Sequence, residues 1–461
     1  MKLLIVFAPL LLAGCAVGSA YNAPALPVAD AWKAAAATPR PVAGAWWKGF
    51  GDPALDALVE QALAGNPDID VALARVEQAR AGAGMAKAAQ LPSANVTGSL
   101  ARSQQSLEDG LGRLARYVPG FGRTQDRAQA GIEAGWDLDL AGGLRRGREA
   151  ALADLVAAQA GTDAARLAVV GDLIDTYLGL RGAEAQLSAV EQRRTIAQER
   201  LDIMRRRASV GEAATNALEE PTATLAVLDA LLPQARGGVA VAKGRLAILV
   251  GKPASADLPE LALASGIPAG SDPAAGVPAD LLRRRPDLVV AEATLRAAHA
   301  RVGQALGEYW PKLSLSGLLG FASNSLSSFG SGDSSVVQGA VGLRWRLFDF
   351  GRVDAEIARA KGAEKEALAS YRGAVLRGGE QVESAFARLA TARAALASRQ
   401  DQAAALDRAA ARAGKAYAVG EISRDQLRAA QAVALDGVDA VRDAQVEVAR
   451  AVLGCHRALG G

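Results

Sequence analysis

The chain has few aromatic residues, cysteines or histidines: 4% of its 461 residues are aromatic, two are cysteines and two are histidines. With half of the residues hydrophobic and alanine abundant, this composition favours closely packed helices over a thick globular core. The two histidines, His299 and His456, lie far apart, and neither has a metal-ligand or nucleophile motif beside it. We therefore expect no metal site, no cofactor and no catalytic centre.

The chain also lacks an excess of charge of either sign, because 52 lysines and arginines and 49 aspartates and glutamates give a formal net charge of only +3. The basic residues are spread along the chain and form no stripe, so a nucleic-acid partner is not expected. Long apolar runs are missing as well. After residue 14 no run is long enough to predict a transmembrane helix.

The N-terminus has the pattern of a short secretory signal peptide at residues 1–14. A lysine precedes the apolar run Leu3 to Leu12, which is too short to span a bilayer. The sequence Leu12-Ala13-Gly14-Cys15 resembles a bacterial lipobox, which implies cleavage before Cys15 and covalent lipid on that cysteine. Since Ala16 follows, the resemblance also implies sorting to the outer membrane. The alternative is an ordinary signal peptide with a chance cysteine. Lipidation would leave Cys455 without a disulfide partner.

The rest of the chain is predicted to be a tandem duplication. Residues 66–92 and 285–311 share a Pro-Asp start and a closing proline at an offset of 219, and the tryptophans at 136 and 345 recur at an offset of 209. Each repeat is predicted to contain a helix, two strands, a long helix without proline, a tight turn and a return helix.

The predicted segments follow from this repeat. They are a lipid-anchored N-terminal segment at 15–65, a first repeat at 66–250, a linker at 251–283, a second repeat at 284–454 and a C-terminal tail at 455–461. The strands are expected at about 93–102, 129–140, 312–321 and 336–348, and the long helices at about 144–208 and 352–418.

Alternating side chains mark the four strands. Residues 131–140 read GIEAGWDLDL, with apolar residues on one parity and Glu133, Asp137 and Asp139 on the other. A half-buried strand of a soluble sheet has the same period. Strands of about ten residues joined by long polar loops are nevertheless typical of a transmembrane β-barrel, with carboxylates facing the channel water. Four strands cannot close a barrel, so the chain is expected to share a barrel with copies of itself.

These features resemble the outer-membrane factor family, the TolC-like channels of tripartite efflux pumps, in its NodT-type lipoprotein branch. The motifs are the lipobox, Trp46-Trp47-Lys48-Gly49-Phe50-Gly51-Asp52-Pro53, Asn66-Pro67-Asp68, Arg284-Arg285-Pro286-Asp287-Leu288, the paired Trp-to-Gly strand ends and Ala458-Leu459-Gly460-Gly461. The resemblance implies an α+β membrane protein that forms a homotrimer. It would have a shared twelve-stranded barrel in the bacterial outer membrane and a long α-helical barrel in the periplasm. Residues 28–65, 251–283 and the C-terminus would form a belt.

The function implied by the resemblance is that of a passive exit duct. Such a duct works with an inner-membrane pump and a periplasmic adaptor protein, and it opens at its periplasmic tip. Two alternatives remain at this point. One is the outer-membrane channel of a type I protein secretion system, and the other is a lipid-anchored periplasmic coiled-coil scaffold without a pore.

The resemblance also implies candidate site residues at the tip. The predicted adaptor contacts and constriction are Val210, Gly211, Glu212, Val419, Gly420 and Glu421. Relatives often have Asp-Ala-Gln where this chain has Ala429-Ala430-Gln431, so the acidic ring is assigned either to Asp425 or to the pair at 219 and 220. The candidate gate residues are Glu219, Glu220, Arg424, Asp425 and Arg428. A charge run on a helix is more often a solvated face.

Two tryptophans are candidates for the membrane boundary. Trp136 and Trp345 occupy equivalent positions at the ends of the second strand of each repeat. Amphipathic aromatic rings are favoured at the membrane interface, so both are expected there. The alternative is that they are packing anchors at the bend between strand and helix.

Overall fold

The computed structural model describes residues 17–26, 29–33, 44–108, 113, 117–118, 124–212, 214–263 and 266–461. The predicted signal peptide, the predicted lipidation site Cys15 and part of the predicted belt, at 34–43, lie outside the described residues. Most of the described chain is helical.

Both repeats contain the predicted order of elements. After α1 (Pro53–Gly65), the first holds α2 (Pro67–Ala88), β1 (Ser93–Gln104), β2 (Thr124–Leu138), α3 (Gly143–Ser209) and α4 (Glu219–Leu249). After the short helix α5 (Leu281–Arg284), the second holds α6 (Pro286–Leu306), β3 (Lys312–Ser323), β4 (Ser335–Arg344), α7 (Arg352–Ala418) and α8 (Arg424–Leu459). The long helices α3 and α7 have 67 residues each, which corresponds to about 100 Å at the rise of an α-helix.

The four strands form one antiparallel sheet in the order β1-β2-β3-β4. Its register aligns Val96 with Ile132, Ile132 with Leu319 and Leu319 with Val337, so one apolar row crosses all four strands. Because side chains alternate across a strand, residues such as Glu133 lie on the opposite face. The sheet therefore has an apolar face and a polar face, and β1 and β4 are its edges.

The strand β2 ends at Leu138, two positions before the predicted end at 140. The carboxylate of Asp139 accepts hydrogen bonds from the backbone N–H groups of Leu144 at 3.0 Å and Arg145 at 2.8 Å. Asp139 thus satisfies free N–H groups at the start of α3, as a capping residue does. The prediction that this carboxylate faces the channel water was wrong, because the helix start binds it.

The strand β4 ends at Arg344, so the prediction of a strand to residue 348 was also wrong. The cause again is the start of the following helix: Asp349 accepts a hydrogen bond from the N–H of Val353 at 2.8 Å, and Gly351 adopts a left-handed φ of +85°. The predicted C-terminal tail is mostly helix as well. The helix α8 continues to Leu459, where Gly460 ends it with a φ of +96°.

The chain divides into two compact units. Of the described residues, the first comprises those up to residue 24 and those within 77–157 and 292–370, and we call it the strand unit because it contains the sheet. The second comprises residues 25–76, 158–291 and 371–461, and we call it the tip unit because it contains both turns between long and return helices. Each unit draws segments from both repeats, so the duplicated halves do not form two separate domains.

One described helical stretch, Asn216–Leu249, is long and apolar enough to cross a membrane by length and composition. The sequence did not lead us to expect one. Only 6% of its most apolar window is buried. Large exposed apolar side chains on α4 are Val227, Leu231, Val241 and Ile248. At 3.6 residues per turn these four fall within about 100° of arc, so they form one apolar stripe, which we call the α4 stripe.

A buried polar pair lies in the core of the tip unit. Asp52 caps α1 by accepting hydrogen bonds from the N–H groups of Ala54 at 2.9 Å and Leu55 at 3.3 Å. Its second oxygen accepts a hydrogen bond of 2.6 Å from the hydroxyl of Tyr177 in α3. Both side chains are buried. Burial, together with this hydrogen bond, raises the pKa of Tyr177 far above its ordinary value.

The histidine at the end of α8 is buried and neutral. His456 stacks on Trp46 with ring centroids 4.9 Å apart, and burial lowers its pKa to about 4. The neighbouring Cys455 is buried and free. The imidazole therefore contributes as an apolar ring, because charging it would require a proton in a dry environment.

We expect acidification to destabilise the tip unit through His456. Its folded pKa of about 4 lies below the ordinary value of 6.5, so as the pH falls from about 6.5 the unfolded chain binds the proton first. The free energy of unfolding should fall by about 3 kcal/mol by pH 4. Thermal unfolding followed by circular dichroism across this interval measures the effect. The variant His456→Phe keeps the stacked ring and should lose this part of the pH dependence; an unchanged dependence would contradict the assignment.

Candidate functional site at the helix turns

The two turns of the tip unit have the same backbone geometry. After α3, Gly211 has a φ of +79°, and the N–H of Glu212 donates to a carbonyl five residues earlier at 2.8 Å. After α7, Gly420 has a φ of +81°, and the N–H of Glu421 donates to the equivalent carbonyl at 2.9 Å. A left-handed glycine with this hydrogen bond is the Schellman motif that ends helices. The duplication thus extends to the conformation of the turns.

The predicted contact residues of both turns are exposed. Val210 and Val419 are large apolar side chains in solvent, and Glu212 and Glu421 lie beside them. Each turn therefore presents one valine and one carboxylate on a backbone that the glycine holds in a tight bend. A surface of this kind offers a partner both apolar area and negative charge.

The return helices begin differently after the two turns. At the start of α8, Ser423 and Gln426 form a capping box. The Ser423 hydroxyl accepts a hydrogen bond from the backbone N–H of Gln426 at 3.3 Å, and the side-chain Oε1 of Gln426 accepts one from the backbone N–H of Ser423 at 2.8 Å. The helix α4 follows a short 3-10 turn, Thr215–Leu218, and has no side-chain cap. The first turn of α8, which contains Asp425, is therefore the better fixed of the two.

The structure places Asp425 against an arginine that the sequence did not single out. Arg200 of α3 donates from Nε to Asp425 Oδ1 at 2.8 Å and from Nη2 to Oδ2 at 3.5 Å. Each side chain is 21% exposed. The hydrogen bond to Asp425 raises the pKa of Arg200. Because α3 belongs to the first hairpin and α8 to the second, this pair joins the two hairpins.

A second ion pair joins the same helices one turn further along. Arg428 approaches Glu199 of α3 at 2.6 Å, and Arg424 lies 3.9 Å from the same carboxylate. The three candidate residues on α8 thus all contact α3. By contrast, Glu220 is 3.8 Å from Arg200 and more exposed, and Glu219 has no ion pair with another described residue. Of the acidic candidates, Asp425 is the one held in a fixed position.

The arginine–carboxylate links continue along α3 and α8 away from the turns. The pairs are Arg193 with Asp436 at 2.8 Å, Arg193 with Asp439 at 2.5 Å, Arg450 with Asp175 at 3.0 Å and Arg457 with Asp172 at 3.1 Å. The pairs nearest the turns are therefore the end of a longer series.

Glu199 and Arg200 are the site residues that the sequence did not reveal. They lie in a mixed-charge stretch of α3 that has the composition of a solvated helix face. Their partners belong to the other repeat, and no periodicity in the sequence specifies which helices of the two hairpins lie side by side. One signal in the sequence could have indicated this contact: Glu199 and Arg200 in α3 carry charges in the opposite order to Arg424 and Asp425 in α8.

The two tryptophans of the strand unit make equivalent contacts. The indole N–H of Trp136 donates to the carbonyl of Gln90 at 2.9 Å, and that of Trp345 donates to the carbonyl of Tyr309 at 2.9 Å. Each contact ties the chain at a strand end to the segment that follows the preceding helix, while the ring stays partly exposed. The geometry agrees with a packing anchor and leaves the ring free for an interfacial role.

Among the described residues no cluster of three histidines, cysteines or acidic residues could hold a metal ion.

The chain combines an antiparallel sheet, which has one apolar face and two exposed edges, with two hairpins of very long helices. These features define a TolC-like channel subunit. The family model described as outer membrane efflux protein matches residues 58–252 and 277–461, one match in each repeat. The chain therefore belongs to the outer membrane efflux protein family.

Similar proteins support this assignment. The pyoverdine export outer membrane protein OpmQ of Pseudomonas putida is 32% identical over 341 residues, which cover 74% of this chain and 72% of that protein. Nodulation protein T of Rhizobium leguminosarum bv. trifolii is 29% identical over 82% of this chain and 80% of its own length. The solved outer-membrane channel OprN is 31% identical, with a TM-score of 0.84 over 97% of this chain and 99% of that chain.

The fold extends to more distant structures. The CmeC outer membrane channel of Campylobacter jejuni has a TM-score of 0.85 over 97% of this chain at 23% identity. The chain is thus an outer-membrane efflux channel that extends into the periplasm, which confirms the predicted family, fold class, function and location. A scaffold without a pore is incompatible with this result.

Proposed function

We propose that the chain is the homotrimeric exit duct of a tripartite efflux system, served by an inner-membrane pump and a periplasmic adaptor protein, and that it carries out no chemistry of its own. The observation that carries the assembly of several chains is the sheet, whose edges β1 and β4 have 12 and 10 residues. Unpaired edges are not tolerated in hydrocarbon. Two copies would supply eight strands and three supply twelve, and either number can close a barrel; the similarity to TolC-like channels favours three.

The α4 stripe supports the same assembly. A single chain leaves this apolar surface in water, whereas neighbouring helices of another copy would bury it. The mass of the detergent-solubilised protein by light scattering, corrected for detergent, should correspond to three chains. A monodisperse single chain would contradict the proposed trimer.

We infer that the cargo is small molecules. Relatives with about 30% identity include a solvent efflux pump outer membrane protein of Pseudomonas putida and the pyoverdine export proteins, whose names describe small compounds. Deleting the gene should sensitise cells to several toxic compounds. Loss of one exported polypeptide without such sensitivity would favour the type I secretion alternative.

The hairpin links are proposed to form the gate. Arg200 with Asp425 and Glu199 with Arg428 join α3 to α8 beside the turns, so they hold the two hairpins of one chain together at the tip. The exposed turns are proposed to be the adaptor contact. Adaptor binding would then open the channel by replacing these links. Trp136 and Trp345, at the strand ends, would mark the membrane boundary.

Breaking the link between Arg200 and Asp425 should open the channel. A hydrogen bond between charged groups contributes roughly 1.5–3 kcal/mol, so Asp425→Asn and Arg200→Ala should shift the closed-to-open ratio by about tenfold or more. Single-channel recording in planar bilayers should show larger or more frequent openings than in the wild type.

The matched control for this experiment is Arg194→Ala. Arg194 pairs with Asp229 at 2.5 Å, but that pair joins α3 to α4 within one hairpin. The conductance of the Arg194→Ala channel should therefore stay at the wild-type level. Equal effects of both substitutions would refute the gate assignment, and the absence of any conductance in the wild type and all variants would refute the channel itself.

A further inference from the structure

The first described residues of the chain are bound to the strand unit by a buried arginine. The N–H of Val17 donates to the carbonyl of Ala141 at 2.9 Å, just after β2. Arg146 of α3 donates from Nε to the carbonyl of Val17 at 3.1 Å and from Nη2 to that of Gly18 at 2.7 Å. Arg146 is only 8% exposed. Two successive carbonyls are thus held by one guanidinium, which is well suited to such forked contacts.

The path of this segment depends on a glycine on each side. Gly18 has a φ of +90°, and a Cβ added to it would lie 3.1 Å from the Cα of Gly303 in α6. A Cβ on Gly303 would in turn lie 3.0 Å from carbons of the Arg146 side chain. The segment therefore crosses α6 so closely that a side chain at either glycine would require neighbouring atoms to shift. Such a fit indicates a specific docked path.

A histidine holds the next residue. His299 of α6 has Nε2 3.0 Å from the carbonyl oxygen of Ser19 and Nδ1 2.7 Å from Glu364 Oε1 of α7. Both neighbours accept hydrogen bonds when the glutamate is ionised, yet a neutral imidazole has one N–H. Only the imidazolium, with an N–H on each nitrogen, can donate to both. The hydroxyl of Ser19 also lies 3.5 Å from Nε2. It is the two shorter contacts, to the Ser19 carbonyl and to Glu364, that together need a charged histidine.

The surroundings of the histidine contain further charged groups. The rings of Tyr21 and His299 meet edge-on, with centroids 5.8 Å apart. The guanidinium carbon of Arg296 of α6 lies 5.2 Å from the centroid of the Tyr21 ring. Arg146 is paired with Glu149 of α3 at 2.7 Å. These side chains line one cavity of about 260 Å³. The charged groups around the imidazole are therefore the acidic Glu364 and Glu149 and the basic Arg146 and Arg296.

We propose that Arg146, Gly303 and the His299–Glu364 pair form a docking groove for residues 17–21, and that docking is complete only while His299 is an imidazolium. Cys15, the lipidation site predicted from the sequence, precedes Val17 by two residues, so docking of residues 17–21 would limit a lipid on that cysteine to about 7 Å of chain from Val17.

Hydrogen exchange of the N-terminal peptide tests the groove. The full-length protein, purified in detergent, is compared by mass spectrometry at about pH 5.5 and about pH 8, an interval in which histidine side chains titrate. After correction for intrinsic exchange, protection at residues 17–21 should fall about tenfold at the higher pH, because a hydrogen bond from a charged group is lost. Equal protection at both values would overturn the proposal.

Two variants and a control assign the effect. His299→Gln should abolish the pH dependence, and Arg146→Gln should lower protection at both pH values. Arg148→Gln, two positions further along the same helix, should behave as the wild type. A pH dependence that persists in His299→Gln, or wild-type protection in Arg146→Gln, would overturn the groove. Intact mass reports the lipid separately, so a missing lipid would refute the predicted lipidation of Cys15 and leave the exchange result as the measure of docking.

Discussion

Leu319→Arg is expected to prevent the channel from assembling in the outer membrane. Leu319 lies in the apolar row across all four strands, aligned with Ile132 and Val337, and its side chain is exposed in the single chain. An arginine at the middle of a lipid-facing barrel surface costs about 2–4 kcal/mol in each chain. The amount of protein in the outer-membrane fraction, and its mass after extraction, measure the effect.

The neighbouring position supplies the control. Leu318 lies on the opposite face of β3, aligned with Glu133 and Gln338. In a closed barrel that face borders the water-filled lumen, so Leu318→Arg should reach the membrane and assemble at close to the wild-type level. The two variants make the same chemical change one residue apart. If both were lost from the membrane, or both tolerated, the assignment of the two faces would be wrong.

Asp52→Ala is expected to destabilise the tip unit by about 2–4 kcal/mol. The substitution removes the N-cap of α1, which contributes about 1 kcal/mol. It also leaves the buried hydroxyl of Tyr177 without its partner, at a cost of about 1–3 kcal/mol. Thermal unfolding of the purified protein, followed by the helical circular dichroism signal, should show a lower midpoint than the wild type.

A double variant separates the two contributions. Tyr177→Phe removes the hydroxyl together with its need for a partner, so adding it to Asp52→Ala should restore part of the lost stability. The remaining deficit then measures the cap. If the double variant were as unstable as the sum of the two single variants, the buried hydrogen bond would not be the cause of the loss.

The four strands and the two faces of the sheet were predicted from the sequence because their pattern is local. Alternation of apolar and polar residues identifies a strand and its faces whatever its neighbours are. The ends of β2 and β4 were predicted less well. There the alternation continues for two to four residues beyond the strand, but Asp139 and Asp349 bind the starts of α3 and α7. A helix cap formed across a bend leaves no signal in a pattern of period two.

The sequence by itself determined the duplication, the long helices, the barrel-type strands and the turns, since each depends on residues close together in the chain. The tertiary structure decided which charges meet at the hairpins. Arg200 and Asp425 are 225 positions apart and belong to different repeats, and the choice of neighbour among similar amphipathic helices depends on packing over their whole length. The docking of residues 17–21 on Arg146 and His299 was likewise decided by tertiary contacts, because a segment without regular structure gains its conformation only from the surface that binds it.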